Sequence, residues 1–281
     1  MGCFEKAKKI KKKLIISDPD MYLKELEERF NQINFNEYSL SYSGGRDSHF
    51  LYWFIKTILK DDKIKIVACN TLKEHSEILQ RMYRYADVVV YPKIKTKEFK
   101  EKYGLPCFTK LQDEYIERYQ KGLRSENCLN VIYGKNITIN LNKKARELLL
   151  SGKLHKISNK CCKIFKKDPV IKWNKENNKK SIIGVTQEES KIRKQAYGGL
   201  FTKKEDFTPI FDLTNELLKK IESIHNIEIP KIYDYVDRTG CMGCPYAPKK
   251  NTEKELTLIS ESQRKATIDF FKESYEVKGI I

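Results

Sequence analysis

Two groups of residues in this 281-residue chain have types and spacings that could do chemistry. The first is Ser43-Gly44-Gly45-Arg46-Asp47-Ser48. Two adjacent glycines let a backbone approach an anion closely. Ser43 and Ser48 add hydroxyl donors. If a helix starts inside this stretch, its first N–H groups lack intrahelical partners and carry about half a positive charge. Asp47 then falls in the first turn, where the helix dipole favours a carboxylate and where it could hold Mg²⁺ against a phosphate. The spacing is not that of a Walker loop, because G-x-x-x-x-G-K-[ST] is absent.

The second group is a set of thiols. Of eight cysteines, two pairs stand out: the adjacent Cys161-Cys162 and the Cys241-x-x-Cys244 turn. Four thiolates suit Zn²⁺ or an iron–sulfur cluster. Gly240 and Gly243 leave backbone N–H groups for sulfur. The competing readings are a redox dithiol at Cys241/Cys244 and buried, inert thiols. Cys69, Cys107 and Cys128 are isolated and read as small buried hydrophobes.

The elements that must position these groups follow from periodicity. Asp18-Pro19 predicts an N-cap with proline at the first helical position. Tyr22, Leu23, Leu26, Phe30 and Ile33 continue at helical spacing. Strands are expected over 38–42, 63–69 and 87–91, with helices over 49–59 and 72–85 between them. This alternation predicts an α/β fold with a doubly wound, mostly parallel sheet. Residues 110–120 and 143–150 read as helices, and the polar stretch 122–142 carries no assignment. Further expectations are a charged loop over 172–180, a strand over 181–184, a helix over 187–197 and a strand over 208–211. A helix over 213–224 capped by Asp212, a turn-rich stretch over 230–248 and one closing helix over 256–275 complete the list.

Composition sets the outer limits. Hydrophobic residues make up 40 %, enough for a core, and 13 glycines with 8 prolines exclude a low-complexity chain. No apolar stretch approaches bilayer length, and Lys11, Lys12 and Lys13 stand where a secretory signal would turn apolar. A cytoplasmic protein without a membrane partner is expected. Met1-Gly2-Cys3 and the lysines after it mimic an acylated anchor, but Lys6 stands where that pattern wants Ser or Thr. The net charge of +17 suggests a polyanion partner, nucleic acid or nucleotide. Only 10 of the 55 basic residues are Arg, and base-edge readers lean on Arg.

The six-residue turn resembles the PP-loop, S-G-G-x-D-S, of the adenine-nucleotide α-hydrolase superfamily. Further matches resemble the phosphoadenosine phosphosulfate (PAPS) reductase-like family within it. Asn70-Thr71 with Glu74, Gly104-Leu105-Pro106 and Cys161-Cys162 through Lys166 match its segments in order. So do Gly184 with Glu189-Ser190 and Arg193, then Pro209-Ile210, then Arg238-Thr239-Gly240-Cys241-Met242-Gly243-Cys244-Pro245. The matches run from about residue 38 to 246.

The resemblance implies a Rossmann-like sheet binding an adenine nucleotide, either ATP or PAPS/APS. It implies phosphate contacts from Ser43, Gly44, Gly45, Arg46, Asp47 and Ser48, with Gly184, Glu189 and Ser190 nearby. Asn70 and Thr71 would meet adenine or ribose, and Arg193 and Arg238 would stabilise charge on leaving pyrophosphate. The C-C plus C-x-x-C pattern resembles the branch in which Cys161, Cys162, Cys241 and Cys244 would bind one [4Fe–4S] cluster, Zn²⁺ being the alternative. Two departures matter. No Cys follows Cys244, so the carboxyl-terminal nucleophile of thioredoxin-coupled reductases is missing, and Thr186 stands where the family often has Arg. The expectation is therefore ATP-dependent adenylyl transfer with pyrophosphate release, activating a substrate for sulfur chemistry. That substrate is a candidate nucleic acid, with a sulfur donor or thiol reductant as a further partner. A sulfonucleotide reductase and a non-catalytic binding module are the alternatives. The expected layout is a basic helical extension over 1–36, a nucleotide-binding domain over 37–225, and a cysteine turn with a closing helix over 226–281.

Overall fold

The computed structural model describes residues 17–189, 199–236 and 240–281. Among them are eleven α-helices and one four-stranded, all-parallel sheet. The chain forms two compact units, neither continuous in sequence. The first takes the chain up to Asn70, then Ser76–Val90 and Val170–Tyr233; the second takes Thr71–His75, Tyr91–Pro169 and Asp234–Ile281. No helix among the described residues is long and apolar enough to cross a membrane.

The first unit holds the sheet. Helix α1 (Pro19–Phe30) starts as its sequence requires, with the Asp18 side chain accepting the Met21 N–H at 2.8 Å. Strand β1 (Tyr38–Tyr42) leads into α2 (Arg46–Trp53), which passes into a π-turn over Phe54–Ile58. Strand β2 (Lys65–Cys69), helix α3 (Ser76–Tyr85) and strand β3 (Val88–Val90) follow. Much later come α8 (Asp168–Glu176), β4 (Lys180–Ile182) and α9 (Asn215–Ile224). The strand order is β3-β2-β1-β4, so β1 is central. Its residues are buried almost throughout, as a parallel strand covered on both faces should be. This is the α/β, Rossmann-like arrangement expected of the alternating pattern.

Several boundaries depart from expectation for identifiable reasons. The helix expected from residue 72 begins only at Ser76, because Leu72 has φ of 63° and cannot start a right-handed helix. The 172–180 stretch is largely helical, not a loop. Val170 packs with Val67 and Cys69 of β2, and Trp173 lies against the same group. Its buried Asn174 looked polar in sequence but ties two strands together. Ser39 Oγ donates to Asn174 Oδ1 at 2.7 Å, and Asn174 Nδ2 donates to Ser181 Oγ at 2.8 Å. Residues 208–211 are not a strand: the chain makes one parallel bridge, Ile182 to Phe207, and then turns. Asp212 does not cap α9. It takes the Arg29 guanidinium at 2.7 and 2.9 Å, while Thr214 accepts the Leu217 N–H.

The second unit is helical, with α4 (Thr96–Tyr103), α5 (Lys110–Gln120), α6 (Glu126–Tyr133) and α7 (Lys143–Leu150). The unassigned 122–142 stretch supplies α6, whose Cys128, Val131 and Ile132 join a core with Ile116, Ala145 and Leu149. Gly104, at φ of 94°, turns the chain so that Leu105 donates its N–H to the Lys156 carbonyl at 2.9 Å. The Gly104-Leu105-Pro106 match is therefore a structural turn. The single closing helix expected over 256–275 is two, α10 (Lys249–Thr257) and α11 (Glu261–Lys278). Ser260 and Gln263 form a capping box that restarts the helix.

Candidate functional site

The Ser43–Ser48 turn lies at the carboxyl end of β1, the strand flanked by β2 on one side and β4 on the other. In open parallel sheets this is the point where connections diverge and ligands bind. Gly44 has φ of 72°, and a Cβ there would stand 2.9 Å from both Ile78 Cγ2 and the Ile78 carbonyl oxygen. Only glycine fits on both counts. Gly45 is the N-cap of α2 and has no side chain with which to cap it. The two serines hold the turn closed: Ser43 N–H donates to Ser48 Oγ at 3.1 Å, and the two hydroxyls share a hydrogen bond of 3.0 Å. Their hydroxyls shape the loop before they offer anything to a ligand.

Arg46 behaves differently from expectation. Its Nε lies 2.7 and 2.9 Å from the two carboxylate oxygens of Glu222, and Nη2 also donates to Glu222 Oε2. The loop's cation is thus held by a carboxylate whose side chain is 2 % exposed. Burial pushes the Glu222 carboxyl above its usual range, Arg46 pulls it back, and the nearby Asp47 charge raises it further. The Arg46 backbone N–H donates to the Tyr233 hydroxyl at 3.0 Å. Asp47 is half-buried in the first turn of α2.

The other expected nucleotide contacts are divided. Gly184, just after β4, stands against this turn: a Cβ on it would lie 3.1 Å from Asp47 C and Ser48 N. Thr186 is buried. Asn70 is buried at the end of β2, its N–H bonded to Val90 O at 3.0 Å and its Nδ2 to Tyr83 Oη at 3.1 Å. Thr71 belongs to the second unit, where its hydroxyl donates to Glu74 Oε1 at 2.7 Å and lies 3.6 Å from Cys241 Sγ. Glu189 ends a short 3₁₀ turn, Gln187–Glu189. Ser190, Arg193 and Arg238 lie outside the described residues, as does most of the helix expected over 187–197.

All four expected thiols belong to the second unit, although 79 residues of sequence separate Cys162 from Cys241. Cys161 is pushed up by burial and by the charges of Cys162 and Cys244. Cys241 is pushed up by burial, Glu74, Cys244 and Cys161, and Cys244 by burial and Cys162. Lys73, Lys110 and Lys166 act against these shifts, so cations surround the group. Cys161-Cys162 opens a helical turn that runs into a π-turn over Lys163–Lys167.

The Cys241–Cys244 turn is fixed by backbone bonds. Met242 N–H reaches Lys73 O at 2.7 Å and Cys244 N–H reaches Cys241 O at 3.2 Å. Gly243, expected to offer its N–H to sulfur, donates instead to Glu255 Oε2 at 3.0 Å. The amide that serves Cys244 is that of Tyr246. Among the described residues no three His, Cys, Asp or Glu side chains already stand in ligand geometry. The donor set itself, four neighbouring thiols with amide and lysine support, suits a soft metal centre. Cys69, Cys107 and Cys128 are buried, as expected of inert thiols, and burial pushes Cys107 up to about 12.

Glu222, Tyr233, Glu255 and Lys73 were not legible as site residues. Each reaches its partner from a distant segment, and none belongs to a local motif. No family model and no curated protein matches the chain.

Proposed function

We propose that this protein is a PP-loop enzyme of the PAPS reductase-like, adenine-nucleotide α-hydrolase type. It binds ATP and transfers the adenylyl group to a substrate, releasing pyrophosphate and activating that substrate for sulfur transfer. The observation that carries the reading is the Ser43–Ser48 turn, with its obligatory Gly44, between the central strand of a parallel sheet and a helix N-terminus.

In this reading an acceptor oxygen attacks the α-phosphorus. The bond from that phosphorus to the bridging oxygen breaks, and pyrophosphate leaves with the electron pair. The α2 amides hold the phosphate oxygens, and the close approach of Gly184 keeps that end of the crevice compact. Asp47 would hold Mg²⁺, which would offset phosphate charge. Arg193 would carry the role implied by the resemblance, stabilising the leaving pyrophosphate. Cys161, Cys162, Cys241 and Cys244 would hold a [4Fe–4S] cluster, which would supply electron transfer, or Zn²⁺, which would act as a structural clamp.

A nucleic-acid acceptor is supported by the distribution of charge. Residues 91–169 contain nineteen Lys and Arg against eight Asp and Glu, so most of the positive excess lies in one stretch of the second unit, where a phosphate backbone would be attracted.

The test is a nucleotide panel on anaerobically prepared protein with Mg²⁺, a thiol reductant and candidate RNA or DNA. Pyrophosphate from ATP supports adenylyl transfer. Sulfite from PAPS or APS without pyrophosphate assigns the reductase alternative, which the paired cysteines favour. Unchanged ATP, PAPS and APS reduce the protein to a binding module.

A further inference from the structure

We infer that Tyr233 is a displaceable latch on the phosphate turn, occupying its leading amide until an anion takes its place. This inference rests on the phosphate-binding reading of 43–48. Arg46 is the first residue of α2, so its N–H has no partner within the helix. The Tyr233 hydroxyl supplies one instead, accepting from Arg46 N–H at 3.0 Å across 187 residues of sequence. A phosphate oxygen bound by that amide would occupy the same position. Both groups cannot be there at once.

The latch is built to hold and to release. Tyr233 sits in a 3₁₀ turn, Lys231–Asp234, pinned by a carboxylate of α3: Lys231 N–H donates to Glu77 Oε1 at 2.7 Å and Ile232 N–H to Oε2 at 3.0 Å. Tyr233 N–H bonds Pro230 O at 3.0 Å, and Ile232 is buried. The backbone is therefore fixed, and release is a movement of the Tyr233 side chain. The exchange favours the anion, because hydrogen bonds to a charged acceptor are about twice as strong as those to a neutral one. The Arg46 guanidinium cannot open the latch, since Glu222 holds it. A latch of this kind lowers apparent affinity by the fraction of molecules in which the amide is covered.

Calorimetric titration of the full chain with pyrophosphate, and with ATP and Mg²⁺, compares wild type with Tyr233→Phe. Losing one competing hydrogen bond should tighten binding about two- to tenfold. In ligand-free protein the Arg46 amide proton should exchange faster in the variant. Wild-type binding that is unchanged or weakened by Tyr233→Phe overturns the latch and leaves the phosphate turn standing. Absence of binding in both proteins removes the phosphate turn, and the latch with it.

Discussion

Gly184 lies against the backbone of Asp47. A Cβ at position 184 would stand 3.1 Å from the Asp47 carbonyl carbon and 3.2 Å from its oxygen. The residue after β4 thereby sets how closely that segment approaches the first turn of α2. Gly184→Ala should force this backbone apart by a few tenths of an ångström, costing about 1 kcal/mol, and Gly184→Val about 2–3 kcal/mol. Both should weaken pyrophosphate binding more than the equally conservative Gly199→Ala, whose Cβ meets nothing within 4 Å. Urea melts and titration calorimetry check the two effects.

The Arg46 guanidinium forms a largely buried ion pair with Glu222. Arg46→Met should leave a carboxylate buried without its partner and cost about 3–5 kcal/mol. Adding Glu222→Leu should recover most of that loss, because the orphaned charge goes with it. Pyrophosphate affinity in the double variant should stay within about threefold of wild type, since Glu222 already holds the guanidinium. A much larger loss would make Arg46 a ligand after all.

Acid should destabilise the first unit through His49. This residue is buried beside the phosphate turn, with Nδ1 3.0 Å from Tyr42 Oη and its ring stacked on Tyr52. Burial and the Arg81 charge push it down from 6.5 to about 4. The unfolded chain therefore binds a proton between pH 6.5 and 4 that the folded chain refuses. Its stabilising contribution is complete above pH 6.5 and is lost as pH falls toward 4. Between pH 7 and pH 5 the loss is at most about 2 kcal/mol. His49→Gln should flatten that part of the pH profile of the urea midpoint. His155 in the second unit is lowered in the same way, so its share should remain.

The thiols should separate into two classes. Wild-type protein prepared without oxygen should retain iron and sulfide, or zinc, and Cys241→Ser and Cys161→Ser should lose it. Cys128→Ser should keep the metal, because Cys128 packs in a core with Val131, Ile132 and Ile116 that includes none of the four paired cysteines. Metal analysis of the three variants decides this. Equal metal content in all of them would return the four thiols to a dithiol or inert role.

The sheet was legible because its signals are local. Residues 38–42 and 87–91 announce strands by their β-branched and aromatic runs, and Asp18-Pro19 announces a helix start. The glycine turn between β1 and α2 was legible for the same reason. What stayed hidden depends on distant partners. Asn174 reads as a loop residue until Ser39 and Ser181 meet it. Asp212 reads as a cap until Arg29 claims it. Leu72 looks helical, and its positive φ, at an exposed position, is nothing that spacing reveals. Arg46 carried the right charge for a phosphate, and only Glu222, from α9, shows where that charge goes.

The most direct test of the central claim is an amide-resolved titration of ¹⁵N-labelled full-length protein with pyrophosphate, then with ATP and Mg²⁺. The amides of residues 44–48 should show the largest shifts, with Gly184 following and the 231–234 turn responding as Tyr233 withdraws. Saturable shifts centred on other residues, with 44–48 unmoved, would contradict it.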